Sequence, residues 1–121
     1  MGEPFVIQIH SGYGEKHFDM MLASGEALAT WQLAASPADL PVGAPLPARR
    51  LADHRSEYLT YEGPVSRGRG RVDILDSGTF ELLKCQPLRW EFRLAGHHIA
   101  GRFELVCPGN DEVIWTLRRL E

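Results

Sequence analysis

The chain has 121 residues, 44% of them hydrophobic and 24% charged, with a formal charge of −3. This length fits one domain over residues 1–121, and no apolar run approaches the ~18 residues that would cross a bilayer. The negative balance argues against a protein that grips nucleic acid by bulk electrostatics, while leaving room for a local basic groove.

Short alternating segments separated by Gly, Pro and Ser run the length of the chain, which is an all-β signature. Phe5 to His10 reads as a strand with Phe5, Ile7 and Ile9 on one face, so that Val6, Gln8 and His10 point the other way. After a flexible Ser11-Gly12-Tyr13-Gly14 connection, His17–Ala23 and Glu26–Leu33 read as two further strands, joined by a Ser24-Gly25 hairpin turn. Pro37, Pro41, Pro45 and Pro47 make residues 36–47 a long loop with at most one helical turn. Arg49–His54 is a strand, Arg55–Tyr61 a short turn or helix, and residues 67–71 a Gly- and Arg-rich loop. Five β pieces follow: 72–75, 79–84, 88–94, 98–107 and 112–120. Asp76-Ser77-Gly78, Ala95-Gly96 and Pro108-Gly109-Asn110 are read as turns. This many short strands cannot lie in one open sheet with both faces wet, so the expected fold is a small antiparallel β-barrel with one or two short helices or turns.

Four residues in the first half carry candidate chemistry: His10, His17, Asp19 and His54. His17 and Asp19 are two apart and share a strand face, with Phe18, Met20 and Leu22 on the other. His10 ends its strand on the polar face, so the two polar faces converge if the strands are neighbours. Imidazole and carboxylate suit a borderline divalent ion, whose open positions take water or substrate. Surface histidines, an ion pair and the facial triad of non-haem iron enzymes are the other readings of this spacing. Trp31, Trp90 and Trp115 alternate with polar residues and read as barrel core. Cys85 and Cys107 lack metal-site spacing and are expected as reduced thiols. The opening Met1-Gly2-Glu3-Pro4 has no basic or apolar signal segment, which makes the cytoplasm the expected location; separately, a monomer is the expected state.

Read together, these segments resemble the 3′-phosphoesterase domain of bacterial ligase D and its small free-standing relatives. Phe5–His10 followed by His17-Phe18-Asp19 is similar to the family's "FVVQ-x-H…LHYDFRL", with a spacer one residue longer. Gly25–Trp31 resembles "DGVLKSWAVP", Asp53–Tyr58 with Tyr61-Glu62-Gly63 resembles "EDHPLEYADFEG", Asp76–Thr79 resembles "WDRGTW", and Gly101–Leu105 resembles "KGRWHLVR". The resemblance implies a β-barrel with an active-site groove that processes 3′-phosphate or 3′-ribonucleotide ends, or a related phosphate ester, using Mn²⁺, with Zn²⁺ or Co²⁺ as alternatives. It places metal ligands on His10, Asp19 and His54, a phosphate-contacting acid or base on His17, and a pocket tyrosine on Tyr58. A DNA repair ligase or polymerase is the implied partner class.

The departures concern cations. Met21 stands where the family has the arginine of "DFRL", and Ala35, Leu46 and Ala52 stand near positions of its lysine, a second arginine and a glutamate. A thioether cannot replace the paired hydrogen bonds of an arginine on phosphate. The candidate replacements are Arg49, Arg50 and Arg55, and the arginines at 67, 69 and 71, with Arg50, Arg55 and Arg69 expected to bind substrate. Two other readings stand beside an active phosphoesterase. One is a catalytically degenerate metal- or nucleic-acid-binding module of the same fold, and the other is an OB-fold-like binder with no chemistry.

Overall fold

A computed structural model describes residues 2–121. Its strands are β1 (Glu3–Ser11), β2 (His17–Ser24), β3 (Ala27–Leu33), β4 (Pro45–Arg55), β5 (Gly63–Pro64), β6 (Arg71–Gln86), β7 (Arg89–Gly96), β8 (Ala100–Val106) and β9 (Ile114–Arg119). Two 3₁₀ turns, Pro37–Asp39 and Ser56–Leu59, are the helical segments among the described residues. The strands pair antiparallel in the order β1-β2-β3-β4-β9-β8-β7-β6, and β6 pairs back onto β1. Eight strands therefore close into a barrel, with β5 as a two-residue flap on β6. No helix is long and apolar enough to cross a membrane.

Closure depends on the length of β6. Its first half pairs with β1 from Arg71↔Ser11 to Phe80↔Glu3, and its second half pairs with β7 from Gly78↔Gly96 to Gln86↔Arg89. The Asp76-Ser77-Gly78 stretch, expected as a turn, is the middle of this continuous strand. Gly78 allows it: a Cβ there would lie 2.3 Å from the Ala95 carbonyl oxygen. The Asp76 carboxylate is buried and accepts backbone N–H groups from Ser77, His97, His98 and Ile99, which tie down the β7–β8 turn. Turn-forming residue types here serve a turn on the neighbouring hairpin.

The barrel interior is filled by alternating side chains of every wall strand, as a period of two requires. Phe5, Ile7, Met20, Leu22, Leu33, Phe92, Phe103 and Leu117 surround Trp31, which is fully buried. Trp90 and Trp115 meet Trp31 edge-on with ring centroids 5.1 and 5.6 Å away, so the three tryptophans are core as expected.

A second, smaller apolar cluster lies outside the wall. Val6, Met21 and Leu28 project from the outer face of β1, β2 and β3, and Tyr58, Leu59 and Ile74 pack against them. The Ser56–Leu59 turn is thus folded down onto the barrel. Gln8, also buried, fastens it by donating Nε2–H bonds to the carbonyls of Tyr58 (3.0 Å) and Tyr61 (3.1 Å). Further along, the Tyr61 hydroxyl donates to the Pro64 carbonyl, and the Ile74 amide donates to Glu62.

Candidate metal centre

The outer face of β1 and β2, next to this covered cluster, carries the candidate site. Register places His10 opposite His17 and Gln8 opposite Asp19, so His10, His17 and Asp19 project on one side. One ligand atom from each of the three lies within 4.8 Å of the others. His10 Nδ1 is 3.1 Å from His17 Nε2, which is 3.5 Å from Asp19 Oδ1.

Backbone carbonyls determine which nitrogens face inward. A carbonyl only accepts, so the His10 nitrogen 2.7 Å from the Arg69 oxygen, Nε2, carries the proton and Nδ1 presents a lone pair. By the same reasoning His17 Nδ1 donates to the Glu15 carbonyl (3.3 Å), leaving Nε2 as the lone pair. His54 Nδ1 donates to the Ala52 carbonyl (2.9 Å), again freeing Nε2. Carbonyl contacts of this kind are how proteins orient metal-binding histidines. The His10 anchor depends on Gly70, with φ +78°, where a Cβ would sit 2.0 Å from the Ser11 carbonyl oxygen. Only glycine lets the 65–70 loop close on the end of β1.

Asp19 is buried, and its Oδ1 has no hydrogen-bond partner; among the described residues the Trp31 indole N–H shares this condition. Burial raises the Asp19 pKa above its ordinary value, and the charges of His17, His10 and His54 act in the opposite direction without reversing it. Two imidazole lone pairs and an unpartnered carboxylate oxygen thus converge on one spot, an arrangement that a cation stabilises and that water alone satisfies poorly. The donor set fits a divalent ion.

His54 on β4 stands outside the tight group of three, though its charge is felt at Asp19. Its ring lies edge-on to Tyr58, with centroids 5.6 Å apart. Tyr58 and Tyr61 help line an open hollow of about 240 Å³ with Arg55, Glu57 and Ser66. Arg55 is highly exposed and pairs loosely with Glu57 at 3.8 Å. Arg69 contributes its carbonyl to His10, while its guanidinium folds back on Ser66. Arg50 is not brought to the site. It shares the inner face of the wall with Trp31, whose ring its guanidinium covers at 4.3 Å, and it pairs with Asp53. Gln8, the clamp of the Ser56–Leu59 turn, was visible in the sequence only as a polar residue on the His10 face.

The family model of the DNA ligase D 3′-phosphoesterase domain matches residues 8–107, a span that contains His10, His17, Asp19 and His54. The chain belongs to this family. No curated protein matches it. The structure gives a definite place to Met21, the residue that the sequence resemblance sets against an arginine. Met21 is 1% exposed and forms the middle of the outer cluster between Val6 and Leu28.

Proposed function

We propose that this chain is a divalent-metal-dependent phosphoesterase acting on 3′-phosphate or 3′-ribonucleotide ends of nucleic acid, or on a related phosphate ester. The observation that carries this reading is the buried, unpartnered Asp19 Oδ1 facing the lone pairs of His10 and His17. In this reading His10 and Asp19 hold the ion together with His17, whose Nε2 belongs to the tight group of ligand atoms, in place of the His54 expected from the sequence, with Mn²⁺ the first candidate and Zn²⁺ or Co²⁺ next. A bound divalent ion supplies charge neutralisation at phosphate oxygens and a lowered pKa for bound water. His54, held through Nδ1 by the Ala52 carbonyl and outside the tight group, keeps Nε2 available to carry a proton to or from a phosphate ester oxygen, the role the sequence suggested for His17. Tyr58, beside His54, borders the hollow where the sugar or base next to that phosphate would lie. A repair ligase or polymerase is the partner class this chemistry would serve.

The buried Met21 supports a second reading, a catalytically degenerate metal- or nucleic-acid-binding module. The position that would hold a phosphate-gripping arginine is committed to apolar packing. One experiment separates the two: Mn²⁺-dependent hydrolysis of a primer–template ending in a 3′-phosphate or a single 3′-ribonucleotide, with His10→Ala and His54→Ala as controls. Activity in the wild type, lost in both variants, is expected. Stoichiometric Mn²⁺ binding without hydrolysis would establish the degenerate module instead.

A further inference from the structure

Resting on that phosphoesterase reading, we infer that Arg49 binds a second backbone phosphate of the substrate. The chain would then recognise a polynucleotide strand laid across the outer face of β2, β3 and β4. The register supplies the line. Gln8 pairs with Asp19, Asp19 with Gln32, Gln32 with Arg49, and Arg49 with Ile114, a straight row across five strands. Directly paired residues of antiparallel strands project on the same face. Arg50, the next residue along β4, covers Trp31 on the inner face, which places Arg49 on the outer face with Asp19. At about 4.8 Å between neighbouring strands, the Arg49 and Asp19 backbones are roughly 10 Å apart.

Arg49 is also free to bind. Arg50, Arg55, Arg71, Arg89, Arg93, Arg102 and Arg118 pair with acidic side chains, while Arg69 and Arg119 bond to other groups of the protein. Among the described residues, only Arg49 and Arg67 have guanidinium groups with no protein partner. Of the arginines on the candidate-site half of the chain, Arg49 alone is exposed, unpaired and in the Asp19 row.

The surroundings match a nucleotide more closely than an isolated phosphate. Arg49 borders a hollow of about 250 Å³ whose other walls include Gln32, Pro47 and the exposed Ile114. Among the described residues Gln32 has no side-chain hydrogen-bond partner, and it lies between the carboxylate and the arginine. A cation next to an apolar floor, with an amide between it and the reacting centre, suits a phosphate, a sugar and a second phosphate in succession. A single strand repeats its charge at short intervals and can span this row, whereas a small phosphate monoester cannot.

The test uses a fluorescent single-stranded oligonucleotide ending in a 3′-phosphate, with Mn²⁺ present, against wild type, Arg49→Ala, Arg49→Lys and Lys84→Ala. Lys84 lies at the far end of the β6–β7 hairpin and controls for net charge. Arg49→Ala is expected to raise Kd and KM for the oligonucleotide about tenfold with kcat within about twofold, and to flatten the salt dependence by about 0.7 in log–log slope. Arg49→Lys is expected to restore the slope, Lys84→Ala to match wild type, and hydrolysis of p-nitrophenyl phosphate to be the same in all four. A wild type that trims the oligonucleotide while Arg49→Ala matches it at every salt concentration would overturn this inference alone. A wild type that neither binds nor trims the oligonucleotide would overturn it together with the proposed function.

Discussion

His10 Nδ1 and His17 Nε2 stand 3.1 Å apart, and each is the nitrogen left without a proton when the opposite ring nitrogen donates to a backbone carbonyl. Two lone pairs at hydrogen-bond distance repel unless a proton or a cation lies between them. A divalent ion that binds the folded chain and not the unfolded one stabilises it by mass action. With free Mn²⁺ at one hundred times its Kd, the gain is expected to be about 2.7 kcal/mol. Chelator should remove it, and His10→Ala should abolish it. Thermal melts with and without Mn²⁺ check this, and a wild type whose Tm ignores Mn²⁺, Zn²⁺ and Co²⁺ alike would sink the metal site.

Without metal, Asp19 is a liability. Its Oδ1 is buried and unpartnered, and burial raises its pKa above the ordinary 3.8. A carboxyl whose folded pKa is raised contributes stability that is fully present below its unfolded pKa and is lost as pH rises through the folded value. The metal-free protein should therefore lose stability as pH climbs from about 3.8 through that raised value. Asp19→Asn removes this loss and is expected to make the metal-free protein more stable at neutral pH by about 1–2 kcal/mol, while ending its response to Mn²⁺. Urea melts of both proteins in chelator across this pH range are the check, and a less stable Asp19→Asn at pH 7 would contradict the account.

Asp76 holds the opposite position: a buried carboxylate with its acceptor capacity used. It receives the amides of Ser77, His97, His98 and Ile99. Asp76→Ala strands those donors at the β7–β8 turn and is expected to cost about 4 kcal/mol, measurable as a fall in urea midpoint. Mn²⁺ affinity of the folded fraction should be unchanged, because Asp76 belongs to the turn and not to the His10 cluster.

Gln8 connects the barrel to the segment that carries Tyr58. Gln8→Ala removes both Nε2 bonds to the 56–61 segment and is expected to cost about 1–3 kcal/mol. Its specific signature is faster amide exchange confined to residues 56–62. Exchange that rises evenly over the whole barrel would mean the clamp is not local.

The sequence made His17 and Asp19 readable as a pair because they sit two apart on a strand, and β alternation needs no distant information. The same rule placed Met21 on their face and the tryptophans inside. What it could not give was anything set by pairing between remote strands. The long β6 runs on through Asp76-Ser77-Gly78 because β1 pairs along that stretch and β7 joins from Gly78 onward, which no local turn preference reveals. The Arg69 carbonyl reaches His10 across 59 residues through a glycine contact. Arg49 and Arg50 are indistinguishable as neighbours in a basic cluster. Only the β3–β4 register, broken by a bulge between Leu28 and Thr30, decides which of them faces the site.

Met21 stands where the sequence resemblance expects an arginine, and its surroundings decide what such an arginine would do. Its side chain is 1% exposed between Val6 and Leu28, under the lid made by Tyr58 and Leu59. Burying a methionine of this kind is worth ~1.5–3 kcal/mol, and truncating it to alanine costs about 2–5 kcal/mol once the cavity is included. Met21→Ala should therefore destabilise the protein by about that much. Met21→Arg should also lower Tm, because a guanidinium placed in this apolar cluster must push the Ser56–Leu59 turn away to reach water. Displacing that turn moves Tyr58 from beside His54, so Met21→Arg is expected to reduce Mn²⁺-dependent activity instead of raising it. A Met21→Arg variant that melts like wild type and hydrolyses a 3′-phosphate faster would show that the position is an open phosphate subsite, and that the outer cluster is incidental to the fold.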